Sequence, residues 1–202
     1  MTIPLAETGP GTPTDGAGGG AHAKLDPEAK REHLLVAAMD VFARDGLDAP
    51  MSEVAEAAGV GVASIYRAFP SKHELLATLV VRRMAQIEAA SRDAYERPGD
   101  RWTALVEMLQ MLVEAQRADT LMLEARVRVA EHEEVKRAIA RVTEAQERLM
   151  AAAREEGRLR SDATTLDLRL LFAATRAARN VEPERWRRML ELMIDALDSH
   201  RP

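Results

Sequence analysis

Ser64, Tyr66, Arg67 and Lys72 bring two hydroxyls, a guanidinium and an ammonium close together on one short, strongly punctuated stretch. Ser64, Tyr66 and Lys72 carry groups that suit phosphate oxygens, contacts that fix register without reading a base sequence. Lys72 also sits at a predicted helix start, where free backbone N–H groups and the helix dipole favour an anion. Val62 and Ala63 precede these residues and can meet only apolar features such as thymine methyls. Arg67 has two uses, a bidentate contact to guanine or a phosphate clamp. Ser52, further upstream, is another phosphate or base candidate, and equally a helix N-cap.

The elements that must position these groups are legible in residues 51–76. Val54, Ala55 and Ala58 recur at helical spacing behind an opening at Pro50 or Ser52. Gly59 stops that helix, because an abrupt close needs a residue tolerant of positive φ. Val60 is expected to plug the angle. A second short helix follows over 62–67 with Ile65 inward, and Phe69 and Pro70 end it. Ser71 and Glu74 form an S-x-x-E capping box, so a third helix starts at Lys72. Two short helices with Gly in the turn are the helix-turn-helix signature, whose second helix enters the DNA major groove.

The run A-G-V-G-V-A-S-I-Y-R-A-F-P-S-K resembles the DNA-binding signature of the TetR family of bacterial repressors, A-G-V-S/T-x-G-T/S-L/I-Y-x-H/Y-F-x-S/T-K. Ala58, Gly59, Val60, Ser64, Ile65, Tyr66, Phe69, Ser71 and Lys72 fit it. Gly61 stands where Ser or Thr is usual, Ala63 where Gly is usual, and Ala68 where His or an aromatic is usual. The resemblance is sharp over residues 27–76 and continues as a pattern of helix lengths and breaks. It implies an all-α fold, with an N-terminal three-helix DNA-binding domain ahead of a helical effector-binding and dimerisation domain. It also implies a homodimer joined by the last two helices of each subunit, a double-stranded DNA operator, a small-molecule effector, and a fourth helix that tilts to transmit binding. Arg31, near the start of the first helix, becomes a candidate phosphate contact.

Composition agrees with the fold and restricts the chemistry. The chain has 202 residues, 47% hydrophobic and only 3% aromatic, so a sizeable core is built from Leu, Ala, Val and Met. With no cysteine there is no disulfide, thiolate metal site or cysteine nucleophile. No apolar run approaches the ~18–20 residues of a membrane span, and no cationic start precedes an apolar core; the expectation is a soluble cytoplasmic bacterial protein, nucleoid-associated when bound to DNA. No phosphate-binding glycine loop, H-E-x-x-H or G-x-S-x-G is present, and no cofactor or metal site is expected. The net charge of −5 argues against generic nucleic-acid binding. Residues 24–76 are not basic either, so the DNA reading rests on motif geometry. The alternative is a helical protein–protein interaction module whose helix-turn-helix does not bind DNA.

In chain order, residues 1–23 are rich in Gly, Pro, Thr and Ala and predict a disordered tail, or an arm tracking the minor groove. The DNA-binding domain is assigned to 24–71. Asp26 and Pro27 open its first helix, with Leu34, Leu35, Ala38, Val41 and Phe42 inward and Gly46 at the end. The second domain is assigned to 72–202 with about six helices, giving about nine in all. Breaks fall at Pro98–Gly99, Ala118–Asp119, Gly157 and Asn180–Pro183, and helix starts at Asp100, Thr120, Glu133, Thr164 and Pro183. A tentative effector pocket draws on Trp102, Met108, Met111, Leu112, Met122, Leu149, Met150 and Phe172, since Met-rich walls adapt to varied ligands. Arg126 or Arg128 would meet a ligand carboxylate, or else pair with Glu124 or Glu131. The run Glu131-His132-Glu133-Glu134 reads as a solvated helix start. The last helix is apolar round too much of its circumference for one core face and needs a second partner. Leu168, Phe172, Trp186, Met189, Leu190, Met193 and Leu197 are the expected dimer interface.

Overall fold

The computed structural model describes residues 26–115, 120–182 and 185–200. The expected tail over 1–23, the turn at Ala118–Asp119 and the helix start at Pro183 lie outside them. The fold is all-α: α1 (Pro27–Asp45), α2 (Met51–Ala57), α3 (Val62–Ala68), α4 (Lys72–Glu96), α5 (Arg101–Ala115), α6 (Thr120–Arg128), α7 (Glu133–Glu155), α8 (Thr165–Val181) and α9 (Trp186–Leu197). No strand forms among the described residues, only an isolated antiparallel bridge between Leu159 and Asp198.

Helix ends follow local chemistry. Gly59 takes φ 64°, its N–H donates to the Glu56 carbonyl at 2.9 Å, and the Val60 N–H reaches back to the Ala55 carbonyl at 2.9 Å. That pair of bonds is the Schellman close, and it turns the chain sharply from α2 towards α3. Gly157 closes α7 the same way, with φ 78° and an Arg158 N–H to Ala153 carbonyl bond of 3.2 Å. The Ser71 hydroxyl accepts from the Glu74 N–H at 3.1 Å and caps α4. The reciprocal half of the expected box is not made, because the Glu74 carboxylate lies 3.4 Å from His132 Nε2 instead. A complete box opens α8, where Asp167 accepts from the Thr164 N–H while Thr164 caps the helix. α2 begins behind Pro50, so Ser52 lies inside the helix and is not its cap.

Two apolar cores share α4. The first joins α1, α2 and α3 to the N-terminal half of α4 through Phe42, Val54, Ile65, Phe69, Leu75 and Val80, and draws in Met122, Ala125, Val129 and Val135 from α6 and the start of α7. The second joins the distal part of α4 to α5, α7, α8 and α9 around Leu105, Leu109, Leu149, Met150, Leu168 and Leu171. α4 packs along α7 and also against α5 and α6. Polar contacts tie α6 and α7 back to the first core: an Arg128–Asp48 ion pair at 2.6 Å and the His132 ring beside the Glu74 carboxylate at 3.4 Å. At the far end the Arg179 and Arg187 guanidiniums lie over the Trp186 ring, 3.8 and 4.6 Å from its centre. No helix among the described residues is long and apolar enough to cross a membrane.

A Gly59→Ala substitution forces a side chain into the left-handed region and should lower unfolding free energy by about 1–2 kcal/mol in urea melts. Gly61 is the extended N-cap of α3, and a Cβ built there meets nothing within 4 Å. Gly61→Ser should therefore raise stability by a few tenths of a kcal/mol through capping.

Candidate functional site

α3 fully buries only Ile65 and packs Ala68 partly against the core. Val62, Ala63, Ser64, Tyr66 and Arg67 are left exposed, Tyr66 to 48%, and together they form one outward face. A short helix held by a single buried side chain needs bracing. Arg31 of α1 supplies it, donating to the Ala68 carbonyl at 2.7 Å and to Thr78 Oγ1 at 3.2 Å, with its guanidinium 4.2 Å from the Phe69 ring centre. At Arg31, expected to approach phosphate, the guanidinium fastens α1 to the end of α3 and to α4. Its partners are remote in sequence, so no local pattern announces them.

Lys72 is half-buried at the first turn of α4, its ammonium 5.6 Å from the Phe42 ring centre. Burial pushes its pKa down, the nearby Asp48 carboxylate opposes this, and the Arg128 guanidinium adds to it. Arg128 itself is taken up by Asp48 and Glu124, both at 2.6 Å. Lys72 makes no ion pair among the described residues and stays available beside the α3 face. Ser52 is exposed on the first turn of α2. Sequence and structure thus bring Ser52, Val62, Ala63, Ser64, Tyr66, Arg67 and Lys72 onto two short helices and one helix start.

A cavity of about 150 Å³ opens between α4, α5, α6, α7 and α8. Arg83, Met84 and Ile87 line it from α4, Leu112 from α5, and Met122, Leu123 and Arg126 from α6. α7 adds Ile139, Val142, Thr143 and Gln146, and α8 adds Arg169, Phe172 and Arg176. Of the residues expected here, Leu112, Met122, Arg126 and Phe172 meet at this wall. Trp102, Met108, Leu149 and Met150 do not; they are buried in the second core, where α5 and α7 pack together. Met111 is exposed to solvent on α5 and is not part of the wall. Helical spacing groups such residues on one stripe without separating core from cavity. The arginines were legible only as charges; nothing in the sequence shows that α4, α6 and α8 aim theirs at one space. Burial lowers the Arg126 pKa, and the neighbouring Arg169 and Arg176 charges lower it further.

A second surface lies on α8 and α9. Leu166, Leu170, Ala173, Ala177 and Val181 form an exposed stripe at helical spacing along α8, and Met189, Leu192 and Ala196 form another on α9. Leu170 is 55% and Leu192 47% exposed. Of the expected interface set, Met189 is exposed and Met193 half-buried. Leu168, Trp186, Leu190 and Leu197 are buried in their own chain, and Phe172 faces the cavity. The reason is geometric: α9 is apolar on two sides, and the stripe read as outer is the one that packs on α5 and α8.

His73, Glu74 and His132 place one ligand atom each within 4.8 Å of one another. His132 Nδ1 accepts the Glu134 N–H as the cap of α7, and its Nε2 faces Glu74, so the group acts as a polar clasp between α4 and α7. The sequence run around His132 gave no sign of it, because two of the three partners come from α4.

Residues 34–79 match the bacterial regulatory proteins of the tetR family, and residues 98–199 match the C-terminal domain of SbtR-like transcriptional regulators. The chain is similar to the HTH-type transcriptional repressor KstR of Mycolicibacterium smegmatis, 33% identical over 112 residues, which are 54% of this chain and 55% of that one. The similarity thus spans about half the length of that relative. A TetR transcription regulatory protein from Mycobacterium vanbaalenii is 27% identical, with 85% of this chain and 96% of that one superimposed at a TM-score of 0.61. A TetR transcriptional regulator from Streptomyces coelicolor is 26% identical over 83% and 98% of the two chains, also at 0.61.

Arg31→Gln should lower unfolding free energy by about 1 kcal/mol, since an exposed charged bond is worth less than a buried one. Hydrogen exchange should show the loss concentrated in α3.

Proposed function

Because the chain belongs to the TetR family of bacterial regulatory proteins and is a transcriptional regulator, we propose that it acts as a homodimeric repressor on a palindromic operator and leaves it when a small molecule fills the cavity. The observation that carries this reading is the α3 face, held by Ile65 and Arg31 and free along Val62, Ala63, Ser64, Tyr66 and Arg67. Tyr66, Ser64 and Lys72 hold phosphates, Arg67 and the apolar pair meet the major groove, and Ser52 adds a contact from α2. Residues 24–71 make up the DNA-binding part, and 72–202 the effector-binding and dimerisation part. The site of action is the bacterial cytoplasm.

One short recognition helix reads too few base pairs to be selective, and a two-fold dimer doubles the readout at half-sites about 34–36 Å apart. The exposed α8 and α9 stripes support the dimer: two copies bury them in a four-helix interface, with Ala173 and Ala177 allowing close approach. Release runs through α4, which bears Lys72 at one end and Arg83, Met84 and Ile87 at the cavity. A ligand that spreads the cavity moves α4 and α6, both of which pack on the first core, and changes the separation of the two α3 helices. The repressor sense is supported by the relative that is itself a repressor.

Anisotropy titration against duplex DNA from upstream of the chain's own coding sequence, with competitor DNA present, tests the operator. Tyr66→Ala and Lys72→Ala should each weaken binding about tenfold, and Lys72→Ala should also lower the salt slope by about one. Unchanged affinity in both variants would mean the recognition face is wrongly assigned. Leu170→Glu with Leu192→Glu should give a folded monomer in sedimentation velocity that has lost operator binding; a dimer persisting in that variant rejects the α8–α9 interface.

A further inference from the structure

Resting on the reading of the cavity as the effector site, we propose that the effector is an amphipathic anion, a carboxylate or phosphate head on an apolar body, with the head held by Arg126, Arg169 and Arg176. The cavity wall includes four arginines and no Asp or Glu. Arg126, Arg169 and Arg176 form no ion pair and no hydrogen bond among the described residues, in a chain where most other arginines of the helical body are paired with carboxylates. Arg176 Nε is buried without a partner. Gln146 is 5% exposed and adds an amide to the same wall. Guanidiniums are normally paired or hydrogen-bonded, and three without such a partner on one cavity wall mark the place of a missing acceptor. Arg126 is partly desolvated and repelled by the Arg169 and Arg176 charges, which disfavours the free protein; an anion among the three offsets both penalties.

The rest of the wall defines the body of the ligand. Met84, Ile87, Leu112, Ile139, Val142 and Phe172 make it mostly apolar, with the Thr143 hydroxyl, which donates to the Ile139 carbonyl, and Arg83 as the polar groups besides Gln146. An inorganic anion would satisfy the arginines and leave this side empty; a neutral hydrocarbon would do the reverse. Guanidinium forks bind carboxylate and phosphate oxygens alike, so the head is fixed as an oxyanion, and its source is left to the experiment. Helices α6 and α8 supply three of the four arginines, and α4 and α7 supply most of the apolar side, so an occupant of both kinds ties α4 to α6 and α8.

Calorimetric titration of the full chain with octanoate, octyl phosphate, octanol and octyltrimethylammonium provides the test, without DNA present. Either or both anions should bind at least about tenfold tighter than octanol, and the ammonium should not bind. Preference between octanoate and octyl phosphate then identifies the head. Arg126→Met and Arg176→Met keep the apolar stems and remove the charge. They should abolish the preference for the anion over octanol and raise the melting temperature of the free protein by about 2–4 °C. Equal affinity for octanol and the anions, or no binding of any anion at millimolar concentration, overturns the proposal. So does a lower melting temperature in both variants with anion affinity unchanged. Anion binding that leaves operator affinity unaltered supports the anionic site and rejects the release step proposed above.

Discussion

Helix α4 has to satisfy two apolar cores at once, and most of the structure follows from how it does so. At about 1.5 Å per residue its length carries it well beyond the helix-turn-helix. Its first turns bury Leu75, Leu76, Leu79 and Val80 against α1 to α3, and its later turns place Ala94 in the core of the helical body. Between these lie Arg83, Met84 and Ile87, only half-buried, and there the cavity opens. The cavity is therefore sited where α4 passes from one set of partners to the other.

The same junction explains where the charges are. The chain is acidic overall, yet the exposed face of α3 contains no carboxylate, and Asp48 beside it is neutralised by Arg128 from α6. That pairing leaves Lys72 as an uncommitted cation at the helix start. An acidic body with a small, locally cleared face disfavours loose contact with any duplex while permitting a contact of defined geometry. Net charge alone would have assigned this chain to the wrong partner class, because the quantity that matters is the field at one face.

What was legible in the sequence was whatever depends on near neighbours. Gly59, Ser71 and Gly157 fix helix ends through bonds that span a single turn, and their residue types declare them. The inward stripes of α1, α4 and α5 could be counted off at helical period. What was not legible depends on residues far apart. Arg31 reads as a surface cation until α3 and α4 fold against it, His132 as a solvated residue until α4 brings Glu74 alongside. Between these extremes stand α8 and α9. Their periodicity is clear, but a helix apolar on two sides does not say which side meets its own chain. Leu168, Leu190 and Leu197 went inward, while Leu166, Leu170 and Leu192 stayed outside.

Trp186 accounts for that choice. A large ring at the start of α9, with the Arg179 and Arg187 guanidiniums over it, fixes the rotation of the helix about its axis. Arg179 also donates to the Val113 carbonyl at the end of α5, at 2.7 Å. With α9 so oriented, Leu190, Ile194 and Leu197 follow Trp186 into the core, at helical spacing, and Met189, Leu192 and Ala196 are carried to the outside. At the other end the Leu159–Asp198 bridge and the Arg158–Asp198 ion pair, at 2.9 Å, hold the terminus of α9 against the turn that follows α7. The helix is thus pinned at both ends by contacts within its own chain. The exposed stripe on α9, and the α8 stripe beside it, are consequences of that pinning rather than of loose packing.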